Sequence, residues 1–484
     1  MPTLGIDIGT QSLKAVAHGD DMALLGSASV AYQPTSPQPG WAEEDPQLWL
    51  DALRPAIGRA LAAAEVAPSD IRAIAVCGQL DGCIATNAGG RAMAPAILWM
   101  DRRAGPLLAD IDAAMVRERC GLVLDATHMG GKIAWLSRHL ENRKRIAVWH
   151  QPVSLVVEAM CGARVMSHSL ASTTMLYDLH KRDWSDTLAD VFGTRRSELP
   201  ALAAETAVAG GLNAAGAALT GLPAGIPVAV GTGDDFSNLI GCGVTAPGMA
   251  AVSLGTAEVV GTLHDKVVID PQMLVETHRF PGGAVHLGNP GWLSGGAVRW
   301  AAGVLGVADD GAFMALAAEA APGCEGLVFI PALTGAMAPK WVAEARGSFV
   351  GLTTSHGRAE MARAVLEGCA FAMRDVLDRL GALGARVERV RLAGGGARSP
   401  LWAQMRADVM QLPVETLTES DASATGAAVL GAVAAGLYPD IGAAVAALQL
   451  RPEAITPDAA KASVHDDAYR RYREVFAALE PAWR

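Results

Sequence analysis

The stretch LGIDIGTQSLKAVAH, residues 4–18, is an apolar run, a Gly-Thr turn and a second strand-like run. A similar stretch, AAVSLGTAEVVGTLH, occupies residues 250–264 in the middle of the chain. In each, the glycine lets the turn close and lets a ligand approach the backbone, while the threonine offers a hydroxyl and an amide. The pair predicts two related domains that each open with a β-hairpin, although two unrelated hairpins would show the same pattern by chance.

Length, charge and composition limit the class of protein. A chain of 484 residues exceeds one ordinary core, so two large domains are expected. The net charge of −11 argues against nucleic acid or an anionic membrane as partner, because both need a basic surface. With 51% apolar and 18% charged residues, intrinsic disorder is excluded. Seven dispersed cysteines favour reduced thiols over disulfides or a zinc site.

Targeting and membrane signals are weak. Met1 to Thr3 leads into a strand-like run without a basic region, so we expect no signal peptide. The Gly/Ala-rich stretch 422–438 carries Ser423 and Thr425, which favours a tightly packed internal helix over a membrane span. The expectation is a soluble cytoplasmic enzyme.

Strand and helix patterns alternate along the chain. Asp45 and Pro46 supply an N-cap and a first-turn proline for a helix that runs to about Ala64. The segment 390–410 reads as a strand, a glycine turn and a helix, and this alternation predicts α/β layers. We place the domain boundary within 241–248, which gives domains 1–244 and 245–484. A last amphipathic helix is predicted from about Ala459, with Tyr469, Tyr472, Phe476 and Leu479 on one face.

Several common catalytic motifs are missing from the sequence. GGKI at 130–133 lacks the first glycine and the hydroxyl residue of a P-loop, and no GxGxxG follows a strand. No HExxH or paired CxxC is present, which disfavours a dedicated zinc site. AVSLG at 251–255 approaches the hydrolase elbow, but a strand-like run follows it where the elbow needs a helix.

Acidic residues at strand ends are the remaining chemical signal. Asp7 ends an apolar strand, where a carboxylate can hold Mg²⁺ while the amides of Gly9 and Thr10 face phosphate oxygens. Asp234 and Asp235 follow the strand 226–233, and one of them facing a substrate hydroxyl would act as general base for phosphoryl transfer. The structural alternatives are a turn cap at Asp7 and an N-cap for a helix starting near Phe236.

A third glycine turn, LAGGGARS at 392–399, leaves room for a nucleotide base or ribose against the backbone. A purely structural turn is the alternative. His128 and His168 are expected at the surface or behind the site.

With these residues in view, GSFVGLTTSHGRAEMARAVLEG at 347–368 resembles the second signature of the FGGY carbohydrate kinases. Further segments resemble the family in its own order and make the chain most similar to the xylulokinase branch: GIDIGT (5–10), GWAEEDP (40–46), PAILWMDRRA (95–104), KRDWSD (181–186), GTGDD (231–235), SLGT (253–256) and GGGARS (394–399).

The resemblance implies an α/β fold of two ribonuclease-H-like domains of the actin/hexokinase/Hsp70 superfamily, with ATP, Mg²⁺ and sugar in the interdomain cleft. It implies Asp234 as catalytic base and Asp7 as the metal-side carboxylate, both near Mg²⁺. Small-molecule sugar and ATP are the implied partners, and a homodimer is compatible with it. The implied binding residues are, for ATP, Thr10, Gln11, Gly255, Thr256, Gly395, Gly396 and Ser399, and for the sugar, Gln79, Leu80, Asp81, Trp99, Asp101 and Asp235.

Three segments depart from the family pattern and leave the sugar open. Residues 78–82 read GQLDG where xylulokinases typically have GQMHG, Asp234-Asp235 replaces Asp-Asn, and 335–340 replaces a GERTPH-like segment. The implied reaction is γ-phosphoryl transfer from ATP to a terminal hydroxyl of a ketopentose, D-xylulose first. The alternatives are L-xylulose, another ketose, a pentitol or a tetritol, and a non-catalytic sensor of sugar or ATP.

Asp81 stands where xylulokinases typically have histidine, and this difference predicts a change in substrate preference. A carboxylate accepts hydrogen bonds from sugar hydroxyls but donates none, so it fits a different hydroxyl pattern from an imidazole. Asp81→His is therefore expected to shift preference towards D-xylulose, measured as relative rates of ADP release on D-xylulose and on polyols. An unchanged profile would place Asp81 away from the sugar.

Overall fold

The computed structural model describes residues 2–417 and 421–483, which form two large sheets with helices packed on them. The strands of the first half are β1 (Thr3–Ile8), β2 (Ser12–His18), β3 (Leu24–Ala31), β4 (Glu43–Glu44), β5 (Ile74–Gly78), β6 (Ile84–Thr86), β7 (Ala96–Ile97), β8 (Val148–His150), β9 (Val165–Ser167), β10 (Tyr177–Asp178), β11 (Asp183–Trp184), β12 (Ala201–Ala203), β13 (Val208–Gly211), β14 (Pro227–Ala229) and β15 (Thr232–Gly233). Its helices are α1 (Pro46–Ala64), α2 (Ala113–Cys120), α3 (Met129–His139), α4 (Pro152–Cys161), α5 (His168–Ala171), α6 (Asp186–Val191), α7 (Ala214–Thr220) and α8 (Asp234–Gly241).

The second half follows from residue 248. Its strands are β16 (Gly248–Leu254), β17 (Ala257–His264), β18 (Glu276–Arg279), β19 (Val285–Leu293), β20 (Val328–Ile330), β21 (Ser348–Val350), β22 (Val387–Ala393), β23 (Val414–Thr416) and β24 (Glu453–Ile455). Its helices are α9 (Gly295–Val304), α10 (Asp310–Ala318), α11 (Arg358–Ala382), α12 (Pro400–Met410), α13 (Ala422–Ala434), α14 (Ile441–Ala447) and α15 (Ala462–Trp483).

The two main sheets share a central arrangement. In the first, β1 pairs antiparallel with β2 and parallel with β5, in the order β13-β14-β5-β1-β2-β3, with β15 also on β5. In the second, β16 pairs antiparallel with β17 and parallel with β22, in the order β18-β19-β17-β16-β22-β23-β24. The predicted hairpins at the start of each half are thus present, in equivalent places. The boundary at 244/245 stays a prediction.

Local signals in the sequence correspond to the observed ends of two helices. Asp45 caps α1, accepting a hydrogen bond from the Gln47 amide at 2.9 Å, with Pro46 in the first turn. Helix α15 buries Tyr469, Tyr472 and Phe476, and Leu479 on the same predicted face is half-buried against the core. In the described ranges, 2–417 and 421–483, no helix combines the length and apolarity that a bilayer span requires.

The Gly/Ala-rich helix α13 is internal, as predicted, and it packs on the first sheet although it lies late in the chain. A Cβ on Gly5 would lie 2.0 Å from the carbonyl oxygen of Ala424, and one on Gly241 would lie 1.9 Å from that of Ala422. A Cβ on Gly426 would lie 1.9 Å from the carbonyl oxygen of Ser237. Glycine is required at these positions because backbone meets backbone there.

This contact generates a stability prediction. Gly426→Ala would gain helix propensity but drive a methyl group into the backbone of α8, and overpacking of this kind costs about 1–3 kcal/mol. We expect a lower melting temperature. The matched control is Gly58→Ala in α1, where the added Cβ meets no atom within 4 Å and the change should leave stability equal or higher. Equal melting temperatures for the Gly426 variant and the wild type would contradict this prediction, because the packing between α8 and α13 would then have adjusted to the added methyl group.

Candidate functional site

The carboxyl ends of three parallel strands bring the predicted acids to one edge of the first sheet. Ile8 of β1 pairs with Gly78 of β5, and Gly78 pairs with Gly233 of β15. Asp7 lies in β1, Asp81 follows β5 after a turn, and Asp234 directly follows β15. Ligands of open α/β sheets bind at such strand ends. The structure therefore gathers Asp7, Asp81, Asp234 and Asp235 at one place.

Burial, together with the charge of a neighbouring carboxylate, raises the pKa of both central acids. Burial raises the pKa of Asp7 from 3.8 to about 7, the charge of Asp234 adds to the rise, and Lys14 opposes it. Burial also raises the pKa of Asp234 to about 6, against the hydrogen bonds from backbone amides. Within the described residues, the Oδ1 atom of Asp7 is buried without a hydrogen-bond partner. A buried, unpartnered carboxylate oxygen beside a second carboxylate suits a cation.

Helix α8 begins at Asp234, with Gly233 as its N-cap, so neither acid is the N-cap and the expected start near Phe236 is wrong. Asp234 and Asp235 lie in the first turn, where the helix dipole favours negative charge. The amide of Asp235 donates to Oδ1 of Asp234 at 3.0 Å. Asp234 as a whole residue is half-buried.

The first Gly-Thr turn is held by aromatic residues. The indole N–H of Trp99 donates to Oγ1 of Thr10 at 3.1 Å, and the Tyr32 hydroxyl donates to the carbonyl of Gly9 at 2.6 Å. Because an indole nitrogen only donates, the Thr10 hydroxyl is the acceptor in this bond and keeps its own hydrogen for donation. Trp99, predicted at the sugar, is 41% exposed and contacts the predicted phosphate turn. Gln11 is exposed beside it.

Two predicted sugar residues are engaged by protein groups. Gln79 is buried and its amide donates to Oε2 of Glu44 at 3.2 Å. Asp101 is 1% exposed, and its carboxylate accepts from the amide of Ala42 at 2.6 Å and from the Arg103 guanidinium at 2.7 Å. These hydrogen bonds fix the Asp101 carboxylate against Ala42 and Arg103. Leu80 lies against Gly233, where a Cβ would come within 1.9 Å of its side chain.

The predicted nucleotide turns come together in the second half. Gly255 and Thr256 form an exposed turn between β16 and β17, and the Thr256 carbonyl accepts from the Gly296 amide at 3.0 Å. Gly394 has a φ of 93°, and a Cβ on Gly396 would lie 3.0 Å from that of Leu254, at the end of β16.

The other two predicted nucleotide residues differ in what surrounds them. Gly395 is exposed, and a Cβ built on it meets no described atom within 4 Å. Ser399 caps α12 by accepting from the amide of Trp402 at 3.3 Å.

Two buried basic side chains lie next to Asp81, and their contacts with it were not predicted from the sequence. His128, expected at the surface or behind the site, is 4% exposed and lies between Oδ2 of Asp81 and Oε1 of Glu276, at 3.2 Å from each. The Lys132 ammonium donates to the Asp81 carbonyl at 2.6 Å, and burial lowers its pKa to about 8. No sequence spacing predicts this group, because its members come from three distant segments.

Family models match both halves of the chain. The N-terminal domain model of the FGGY family of carbohydrate kinases matches residues 3–241, and the C-terminal domain model of the same family matches 250–435. Xylulose kinase of Escherichia coli is 30% identical over 484 residues, covering 99% of each chain. A glycerol kinase of Gloeobacter violaceus is 32% identical over 458 residues, covering 92% of this chain and 90% of that protein.

Solved structures agree with the sequence comparisons. Xylulose kinase from Rhodospirillum rubrum superposes with a TM-score of 0.92 at 30% identity, and all of each chain is covered. The likeness therefore spans both sheets and the edge where the acids meet.

The paired acids predict a pH-dependent stability difference. With its pKa raised to about 7, Asp7 keeps a proton in the folded protein that the unfolded chain releases near pH 4. The folded state thus loses relative stability as pH rises between about 4 and 7. In metal-free buffer, the melting temperature of Asp7→Asn should exceed that of the wild type by an amount that grows from about pH 4 to pH 7. Above this range the difference should stay constant. Asp110→Asn, at an exposed turn, is the control; a pH-independent difference for the Asp7 variant would contradict the charge argument.

Proposed function

The chain belongs to the FGGY family of carbohydrate kinases, and from this premise we propose that it transfers the γ-phosphoryl of ATP to the terminal hydroxyl of D-xylulose, giving D-xylulose 5-phosphate. The family comprises phosphotransferases that act on an alcohol group, and two features of this chain support the assignment of roles. One is the pair of acids at the sheet edge, and the other is the set of glycine turns in both halves.

One observation carries the proposal: Asp234 is a half-buried acid at a strand end, with its pKa raised to about 6 beside Asp7. A general base is most effective when its pKa lies near the working pH. Asp234 would accept the proton of the sugar hydroxyl as that oxygen forms its bond to the γ-phosphorus and ADP leaves with the bridging oxygen. The half-buried position lets a closed cleft exclude water, which limits ATP hydrolysis without sugar.

Asp7 and Asp234 are the residues that would hold Mg²⁺. Carboxylate oxygens are ligands that Mg²⁺ prefers, and it is commonly bound by one or two carboxylates together with substrate phosphates. The unpartnered Oδ1 of Asp7 fits this role. When bound, Mg²⁺ neutralises charge on the phosphates during transfer.

The glycine turns are suited to ATP. Thr10, with its hydroxyl oriented by Trp99, and the exposed Gly255-Thr256 turn would donate to phosphate oxygens. The open space at Gly395 would receive the adenosine. Because ATP is made inside cells, we also propose a cytoplasmic location.

The choice of sugar rests on similarity to xylulose kinases along the whole chain, and Asp81 favours a second candidate. Glycerol kinases are as similar in identity, and a carboxylate at position 81 accepts from hydroxyls where an imidazole would donate. A polyol, such as a pentitol or tetritol, is therefore the second candidate substrate.

An ADP-release screen with Mg²⁺ and ATP tests the proposal on D-xylulose, L-xylulose, D-ribulose, xylitol, erythritol and glycerol. We expect the highest kcat/KM on D-xylulose. Asp234→Asn should lower kcat by about 10³-fold or more, since general base catalysis and charge placement are both lost, while ATP affinity stays within about threefold.

The outcomes separate the candidates. A maximum on a polyol would replace D-xylulose by the second candidate, and full activity of the Asp234 variant would overturn its role as base. Sugars that raise the melting temperature of the wild type without any ADP release would indicate a sensor.

A further inference from the structure

We propose that His128 is a positioning and specificity-determining residue, which fixes the carboxylate of Asp81 at the sugar site and links it to Glu276 in the second half of the chain. This inference rests on the proposed function, because it takes Asp81 to face the sugar. His128 precedes α3 and is almost fully buried, with its Nδ1 atom 3.2 Å from Asp81 and its Nε2 atom 3.2 Å from Glu276.

The two contacts require a charged ring. A neutral imidazole has a single N–H, whereas two carboxylate acceptors on opposite sides are both satisfied only by the imidazolium. Burial alone would lower the pKa of His128, but the charges of Glu276 and Asp81 raise it well above the usual value. Both N–H groups are used by the carboxylates, so His128 has none left for a sugar hydroxyl and acts through Asp81.

Hydrogen bonds to both its backbone and its side chain fix the position of Asp81. Its φ of 59° is rare for a residue with a side chain, and its amide donates to Oε1 of Gln151 at 2.8 Å. Its carbonyl accepts from Lys132, and its Oδ1 accepts from the Met129 amide at 3.3 Å. With His128 on Oδ2, the carboxylate has one preferred orientation, and 12% of the side chain remains accessible.

Asp81 is close enough to the proposed base to affect it. The charge of Asp81 contributes to the raised pKa of both Asp234 and Asp235. Because Gly78 pairs with Gly233, Asp81 and Asp234 leave neighbouring strands at the same edge of the sheet, and a sugar at Asp234 would lie on the side where Asp81 stands. A carboxylate in a fixed orientation selects one hydroxyl geometry among related sugars, whereas a mobile one accepts several.

Glu276 belongs to β18, an edge strand of the second sheet that is bound to the first half. Glu276 Oε1 also accepts from the Val123 amide at 3.0 Å, and the Thr277 amide donates to the Gly121 carbonyl at 3.0 Å. The Arg279 amide donates to the Ser172 hydroxyl at 3.0 Å. Through His128, the orientation of Asp81 depends on where the second half holds this strand.

The first test is His128→Asn on the full chain, with kinetics on the sugar that the screen selects. A neutral amide cannot hold two carboxylates as a cation does, so Asp81 loses its fixed orientation and its hydrogen bond to the sugar. We expect the sugar KM to rise about tenfold or more, the usual effect of losing a hydrogen bond to a charged group. The KM for ATP and kcat should stay within about threefold, and the ratio of kcat/KM between preferred and rejected sugars should fall.

The matched control is His465→Asn, which removes a buried histidine from α15. It should leave both KM values unchanged even if the melting temperature falls. A folded His128 variant with the wild-type sugar KM would overturn the proposal.

The second test asks whether His128 acts through Asp81. Asp81→Asn removes the charge that His128 orients, so adding His128→Asn to that variant should change the sugar KM by less than about twofold. If the fold-changes in sugar KM of the two single variants multiply in the double variant, His128 acts independently of Asp81 and the positioning role is wrong.

A third measurement does not need a known sugar. Nitrogen NMR of the full chain with labelled histidine, assigned by comparison with the His128 variant, should show both His128 nitrogens protonated near pH 7. A neutral ring would refute the bridge whatever the kinetics. If the ring is protonated but none of the sugars in the screen causes ADP release, the His128 bridge is confirmed and the proposed function is wrong.

Discussion

Four carboxylates share one partly buried edge of the first sheet, and their mutual repulsion is the constraint on which the remaining site depends. The parallel pairing of β1, β5 and β15 places Asp7, Asp81 and Asp234 there by topology alone. Burial then raises the pKa of the central pair into the range where a base works near neutral pH. The repulsion that destabilises the unliganded protein is the same interaction that, in the proposed function, favours binding of a cation and acceptance of a proton.

The groups that offset these charges lie in the first half, and a helix from the second half holds α8 in place. Lys14 opposes the raised pKa of Asp7, and the first turn of α8 offsets the charges of Asp234 and Asp235. Ser423 of α13 accepts at its carbonyl from the Ser237 hydroxyl at 2.7 Å and donates its own hydroxyl to the Asp234 carbonyl at 3.4 Å. The helix that carries the proposed base is thus positioned by a helix that lies late in the chain.

Local chemistry explains which features the sequence predicts. The N-cap at Asp45, the Gly-Thr hairpins and the apolar face of α15 each depend on neighbouring residues, so their patterns are visible in one segment. The apolar runs before them predict the acids at strand ends, which the parallel pairing gathers, and the family resemblance implies their roles. His128 was expected at the surface or behind the site, but its bridge was not predicted, because its two carboxylate partners come from residues far away in the chain. The start of α8 was misplaced since Gly233, which has no side chain to mark it, serves as the N-cap.

The close packing of α13 on the first sheet determines how independent the two halves of the chain are. One continuous apolar core includes Phe236 and Leu239 of α8, Met249 and Ala251 of β16, and Val429 of α13. The halves therefore share interior volume, beyond simply touching at their surfaces. A gene fragment that encodes either half alone would leave part of this interior uncovered, and chimeras between relatives would have to exchange the faces of α8 and α13 as a matched set.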